Sequence, residues 1–371
     1  MGERDGGERG MLTVEEVTSG ERFAELRPVW DGLLAASGVD NVFSTHAWAI
    51  TWWKHFGAGL RLLILVVKDG TEVIGIFPWM VRRTGTAWMP VRRIQFLGTG
   101  HSDRLDLIVT TRRMEQVQCV LYYLQRRRGL WDVIDLREVP GESETIPVVR
   151  EHLERRRWNH RIQQDSICPY LPIQGDWATF YSSVHGANTR MKNRNKFNRL
   201  ERAGAVTIRR LTDARQERDI VARLSGMPHA GTYLGRKRVS LFDDRDRRGF
   251  FEEMTWKFSE SGSLDLWVIE LSGKLIAYRY GWRSRQKHYD YFPDYDPAYA
   301  DFSPGTLLLL RVLEDCFGRG LQEFDFLRGD EPYKLAWTDK HRQNLRLMLF
   351  RPSLRGRLLR LAYGARSASR P

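Results

Sequence analysis

The sequence predicts a mixed α/β protein of two tandem halves, each a mixed, mainly antiparallel sheet flanked by helices. Three observations carry this expectation. The chain has 371 residues, about twice the usual single-domain size. It is 42% apolar and 12% aromatic, which supplies material for packed interiors and excludes a disordered or fibrous protein. An order of elements, hairpin, strand, helix, strand, occurs twice at a separation of about 200 residues, as an internal duplication would leave it.

The first copy opens on residues 62–83, LLILVVKDGTEVIGIFPWMVRR, two strands about Asp69-Gly70, a dipeptide that accepts a tight hairpin turn. RIQFLG, the alternating LDLIV (105–109), a helix over 111–128 and the strand WDVIDLREV (131–139) come next. The second copy opens on residues 264–282, LDLWVIELSGKLIAYRYGW, about Ser272-Gly273. HYDYF (288–292), a helix from about 304 to 317 and the strand EFDFL (323–327) complete it. The joint falls near Asp165 to Gly175, where Pro169 and Pro172 hold an extended segment. From Trp177 the chain reads as helix up to a stop at Gly204. The expected domains are therefore 11–165, 166–350 and a basic tail over 351–371.

No stretch approaches the roughly 20 apolar residues of a membrane span, and the opening MGERDGGERG lacks the apolar core of a signal peptide. The expectation is a cytoplasmic protein without a transmembrane segment. The three cysteines, Cys119, Cys168 and Cys316, have no metal-site or redox spacing, so no metal is expected. The formal charge is +13, carried by 49 Arg against 10 Lys. Guanidinium groups bind phosphates well, but these are scattered among 46 acids, as a GC-rich genome would also leave them. Two basic stretches stand out. Arg190, Lys192, Arg194, Lys196, Arg199 and Arg202 face only Glu201, and read either as a solvated face or as a surface for a phosphorylated ligand or tRNA. The tail from Arg351 has six Arg and no acid, interleaved with leucines, and reads as a docked helix or as a contact to a membrane surface or nucleic acid.

The most informative stretch is Ser303-Pro304-Gly305-Thr306 followed by LLLLRVLEDCFGRG. Ser303 suits an N-cap, Pro304 the first helical position, and only Arg311, Glu314 and Asp315 form a polar stripe, so the helix is expected to be largely buried. A buried helix opening on glycine suits an anion such as a pyrophosphate, although an ordinary capped core helix accounts for the same residues. Downstream, Asp325 opposes Phe324 and Phe326 across a strand, and LRGDEPYKLAW gathers Arg328, Tyr333 and Lys334 in the loop beyond it. In HYDYF, His288 and Asp290 share a face, where they could assist proton transfer or form a satisfied polar pair. In the first half, Gly98-Thr99-Gly100-His101-Ser102-Asp103 reads as a turn or as a cleft in which His101 or Asp103 binds an acceptor.

The run from Trp267 to Trp337, with YDPAYADFSPG, the Leu-rich helix and EFDFLRGDEPYKLAW, resembles bacterial GNAT-superfamily proteins of the CelD/BcsL type, linked to exopolysaccharide or cellulose synthesis. FSTHAWAITWWKHFG, VIGIFPW, FLGTGHSDRLDLIV and CPYLPIQGDWATFYSSVHGANTRMKNRNKFNRLERAG extend the resemblance over most of the chain. It implies two tandem GNAT-like domains, as in the Fem-type aminoacyltransferases. It also implies an acyl-CoA co-substrate, acetyl-CoA first, whose pyrophosphate would meet backbone amides at Ser303, Gly305, Thr306 and Leu307. SPGTLL departs from the superfamily's Gln/Arg-x-x-Gly-x-Gly/Ala signature.

The expected function is direct acyl transfer from acyl-CoA to an amine or hydroxyl of a sugar or envelope-related precursor. The expected roles are Asp325 as base, Tyr333 as proton donor, Lys334 or Arg328 as neutralising cation, and Asp290, His101 and Asp103 at the acceptor. The alternatives are a Fem-type transferase using aminoacyl-tRNA and a binding module without catalysis.

Overall fold

A computed structural model describes residues 11–368, apart from 87, 230, 231, 234, 235, 238, 239 and 243, with no side chains described over 230–239 or beyond 363. The described residues form two compact units, one from 11–166 together with 343–368 and one from 167–342.

Chain order begins β1 (Leu12–Val17), α1 (Gly20–Glu25), α2 (Arg27–Ala36), α3 (His46–Phe56), β2 (Arg61–Asp69), β3 (Glu72–Gly85), β4 (Pro90–Phe96) and β5 (Ile108–Val109). It continues with α4 (Arg113–Arg126), β6 (Val133–Pro140), α5 (Thr145–Arg155), β7 (His160–Pro172), α6 (Trp177–Val184), α7 (Ala187–Ala203), β8 (Val206–Leu211) and α8 (Ile220–Gly226). A small ribbon, β9 (Thr232–Tyr233) and β10 (Arg236–Lys237), precedes α9 (Arg245–Glu260), β11 (Leu266–Leu271), β12 (Lys274–Ser284) and β13 (Lys287–Tyr295). The remainder is α10 (Pro304–Gly318), β14 (Glu323–Asp325), α11 (Pro332–Leu335), β15 (His341–Phe350) and α12 (Leu354–Ala368).

In the first unit the strands run β1-β2-β3-β4-β6-β15, with β5 on the early part of β3. All neighbours on this path are antiparallel except β4 and β6. In the second unit they run β8-β11-β12-β13-β14-β7, antiparallel except β13 and β14. The duplicated order of the sequence is thus a duplicated topology. Parallel neighbours cannot be joined by a tight turn, so each parallel pair has a crossover helix, α4 in one unit and α10 in the other. The hairpin at Ser272-Gly273 has positive φ at both residues, 49° and 80°, as the strand twist favours.

In the second unit Leu307, Leu308, Val312, Leu313 and Cys316 of α10 pack with Ile269, Ala277, Phe324, Phe326 and Trp337. The outward stripe holds Arg311 and Glu314, paired at 2.7 Å, as the helical spacing predicts. α9 covers other strand residues with Phe251 against Tyr280 and Tyr291, and Phe258 against Trp282.

Three expectations are corrected. The helix read from Trp177 to Gly204 is two, because His185 and Gly186 are extended and α7 starts afresh after Gly186. Residues 343–350, expected in the second domain, belong to the first unit, where Asn344 to Phe350 supply β6 with its second neighbour. The tail over 351–371 is no separate segment, since its helix α12 buries Leu359 in a cluster with Val91, Val133, Met348 and Phe350.

Candidate functional site

The site begins where two parallel strands part. β13 pairs with β14 only from Lys287 to Tyr289, against Glu323 to Asp325, and then continues to Tyr295 without it. At the same place the register with β12 slips. Tyr280 faces Phe292 while Gly281 faces Asp290, so Tyr291 is an extra residue on β13. Such a bulge bends the strand and re-aims the side chains beyond it. Before it, Asp290 lies on the side of the start of α10, which it reaches through Arg279. After it, Tyr295 lies there too, with its Cδ1 3.7 Å from where a Cβ on Gly305 would stand.

Asp290 is met there by Arg279 of β12. The guanidinium makes a two-pronged contact to the carboxylate, Nε to Oδ1 at 3.0 Å and Nη2 to Oδ2, and donates to the Gly305 carbonyl at 3.3 Å. It lies 5.7 Å from the ring centroid of Tyr333. Arg279 and Asp290 are 2% and 1% exposed, so neither charge is solvated and each depends on the other. Burial opposes the charge of Arg279, but Asp290 and then Tyr333 outweigh it and hold its pKa above the ordinary value. The Arg279–Asp290 pair therefore joins two strands, the start of α10 and the loop carrying Tyr333. His288 goes elsewhere, with Nδ1 3.0 Å from Asp265 and its ring stacked on Phe324.

The start of α10 differs from its sequence reading. Ser303 adopts a left-handed conformation, φ 51° and ψ 53°, and its side chain makes no capping bond. Its carbonyl accepts the amides of Thr306 and Leu307 at 3.0 and 3.2 Å, and its own amide donates to Ala300. Of the four residues expected to meet a pyrophosphate, only Gly305 keeps an amide with no acceptor among the described residues. Its surroundings are open enough that Tyr295 alone lies within reach of an added Cβ. α7 runs beside this helix start, with the Arg199 guanidinium 5.6 Å from the ring of Phe302 and the Arg311 guanidinium 5.1 Å from that of Phe197. Lys192, Arg194, Lys196 and Arg202 of α7 have no ion pair among the described residues.

The other expected catalytic groups shape the loop after β14. Asp325, 1% exposed, accepts the Leu327 amide at 2.8 Å and lies 3.7 Å from Arg342. That bond stabilises the turn in which Leu327 takes a positive φ of 57°. Lys334, 4% exposed, donates to the Arg328 carbonyl at 2.7 Å and pairs with Glu331 at 2.9 Å. These contacts position Arg328 and Tyr333 at the two ends of one short loop.

His101 and Asp103 lie in the first unit. His101 accepts the Trp52 indole N–H at Nδ1, 3.0 Å, and stacks on Phe56 at 4.1 Å. The backbone carbonyl of Asp103, whose side chain is buried, accepts from Asn344 at 2.6 Å. The geometry thus collects Asp290, Gly305 and Tyr333, adds Arg279, and leaves His101 and Asp103 in the other unit. Arg279 had a signal in the sequence, a lone cation in the apolar strand LIAYRYGW, but its register to Asp290 depends on the bulge.

Cys316 and Cys119 are held as thiols because burial pushes their pKa values up, which gives neither the character of a nucleophile. Among the described residues, no three His, Cys, Asp or Glu side chains are grouped to hold a metal, and no helix is long and apolar enough to cross a membrane.

Residues 187–335, from the first residue of α7 to the last of α11, match the family described as acetyltransferase (GNAT) domain. Among solved structures the chain is similar to FemX, with a TM-score of 0.56 and 12% identity over 94% of this chain and 99% of that one. It is also similar to L-PGS from Bacillus licheniformis, TM-score 0.52 and 12% identity over 90% and 95%. A third is the C-terminal domain of a putative lysylphosphatidylglycerol synthetase from Agrobacterium fabrum, TM-score 0.51 and 11% identity over 92% and 95%. At such identities these likenesses concern the fold. No curated protein matches the chain.

Proposed function

We propose that the second unit transfers an acyl group from an acyl-CoA, acetyl-CoA first, to an amine or hydroxyl. The resemblance to the CelD/BcsL type supports a sugar or envelope-related acceptor. The observation that carries the proposal is the parting of β13 from β14 beside the start of α10, with Arg279, Asp290 and Tyr333 gathered at the opening. The free amide of Gly305 and the guanidinium groups of Arg199 and Arg328 are the donors to hold phosphates. The acceptor attacks the thioester carbonyl as a neutral amine or hydroxyl, a C–N or C–O bond forms, and the C–S bond breaks. Tyr333 donates a proton to the departing thiolate, and the proton lost by the acceptor passes through solvent to reprotonate the tyrosinate. Asp325 and Lys334 act through the loop they hold.

Gly305→Val tests the donor site. The protein itself leaves room at Gly305, so the fold is expected to persist while acetyl-CoA affinity, measured by calorimetry, is lost. Unchanged affinity in the folded variant would remove α10 from the binding site.

A second reading, aminoacyl-tRNA as donor, is favoured by the unpaired cations of α7. Contacts to a polyanion weaken steeply with salt, with a log–log slope of roughly −0.7 to −0.9 per phosphate, whereas a CoA ester offers few phosphates and relies also on a fixed amide. Weak, non-saturable tRNA binding that vanishes by physiological salt is expected. Exchange of Arg190, Lys192, Arg194 and Lys196 for Gln is expected to change acetyl-CoA affinity by only a few-fold. Tight, saturable aminoacyl-tRNA binding at that salt, abolished in the variant, would replace the CoA reading.

A further inference from the structure

α12 has two unlike faces. Leu359 and Tyr363 turn inward, Leu359 at 9% exposure and Tyr363 with its ring 5.9 Å from that of Phe350. Leu354, Leu358 and Leu361 turn outward at 79%, 68% and 70% exposure. Their spacing, i, i+4 and i+7, makes one stripe along the helix. The turn between β3 and β4 adds Trp88 and Met89, 94% and 65% exposed. The turn and helix are tied together, since Arg355 donates to the Pro90 carbonyl. A run of exposed large apolar side chains on two elements of one unit exceeds the isolated apolar residues any surface carries.

The charge around these residues has one sign. Arg82 on β3, opposite Arg93 and so on the side of the sheet that α12 covers, and Arg357 beside the leucine stripe, are exposed and have no ion pair among the described residues. Residues 351–371 contain no acid. The nearby carboxylate, Asp132, is 1% exposed and covered by Arg92, Arg351 and Arg355. Two copies of the chain meeting through this face would set like charges against each other. A nucleic acid would satisfy the arginines and leave the leucines and Trp88 in water. An anionic bilayer satisfies both sets: leucines enter the boundary between headgroups and acyl chains, the indole sits at headgroup level, and guanidinium groups meet lipid phosphates.

We propose that the face formed by α12 and the β3–β4 turn docks on an anionic phospholipid surface. The full chain is sedimented with vesicles of phosphatidylcholine alone and of phosphatidylcholine mixed with phosphatidylglycerol. Binding to the mixed vesicles, little to the neutral ones, and weakening by salt are expected. The triple exchange Trp88→Ala, Leu358→Asp and Leu361→Asp touches only exposed side chains and is expected to lower binding more than about tenfold. Arg82→Gln with Arg357→Gln is expected to reduce the preference for anionic vesicles. The proposal is overturned by a wild-type chain that stays in the supernatant or binds both vesicles equally, or by a triple variant that binds like wild type. It is equally overturned if light scattering shows a dimer that the leucine exchanges dissolve while vesicles are ignored.

Discussion

Tyr333→Phe is expected to lower turnover of acetyl-CoA by about 10²- to 10⁴-fold while leaving its affinity unchanged and the protein folded. The half-buried ring stands at the first turn of α11 with the Arg279 guanidinium 5.7 Å from its centroid. The exchange keeps the ring packing and removes the hydroxyl, together with its hydrogen bond to Arg279. What is lost is the proton that makes the thiol a good leaving group, a need that arises as the C–S bond breaks and not when acyl-CoA binds, so kcat falls and KM holds. Release of free thiol with glucosamine as the acceptor probe gives the rate, and calorimetry gives the affinity. A variant with normal turnover would reduce Tyr333 to a packing partner of Arg279. A variant that lost affinity in proportion to rate would place the hydroxyl on the bound donor.

The sequence made α10 legible because its apolar residues leave only a narrow polar stripe, and a helix so covered has to be central. It also made both hairpins legible, since a two-residue turn between alternating runs fixes its own register. Strand alternation puts His288 and Asp290 on one face, and in the structure Asp290 meets Arg279 at the start of α10 while His288 meets Asp265 and Phe324. Their partners could not be read that way. Alternation predicts faces, not neighbours, and a single extra residue, Tyr291, decides that Asp290 rather than Tyr291 itself lies opposite Gly281. Ser303 illustrates a different limit. Its residue type favours a cap through the side chain, yet the chain arrives from a 3₁₀ turn at Pro297–Phe302 and enters α10 by a left-handed residue, which leaves the backbone carbonyl to begin the helix. Asp325 was legible as an expensive buried charge, whereas Lys334 was read only as a cation of the polar loop beyond the strand. Whether such a charge meets a ligand or its own loop depends on backbone positions a few residues away, here the Leu327 amide and the Arg328 carbonyl, which no pattern of side chains records.

Asp265→Asn is expected to destabilise the second unit by about 3–5 kcal/mol at neutral pH, the usual cost of removing one partner from a buried ion pair. At roughly 2–4 °C per kcal/mol for a unit of this size, the melting temperature should fall by about 6–20 °C. Asp265 is 0% exposed and is the common partner of several cations. Arg210 Nε lies 2.6 Å from it, His288 Nδ1 3.0 Å, Arg319 Nη2 3.3 Å and Arg283 Nε 3.6 Å, and the Trp267 indole donates at 3.2 Å. Burial pushes its pKa up, but His288 and then Arg210 outweigh burial and hold the carboxyl well below the usual range. An amide has the same shape and no charge, so the three guanidinium groups would be left to repel one another. The depressed pKa fixes the sign of the pH dependence. Its stabilising contribution is complete above the unfolded value of about 4 and is lost as pH falls through the folded value. The gap in melting temperature between wild type and Asp265→Asn should therefore be widest near neutral pH and narrow steadily below about pH 4. Equal melting at neutral pH would show that solvent, not Asp265, compensates the arginines. A gap that stayed constant on acidification would assign the loss to the shape of the side chain and not to its charge.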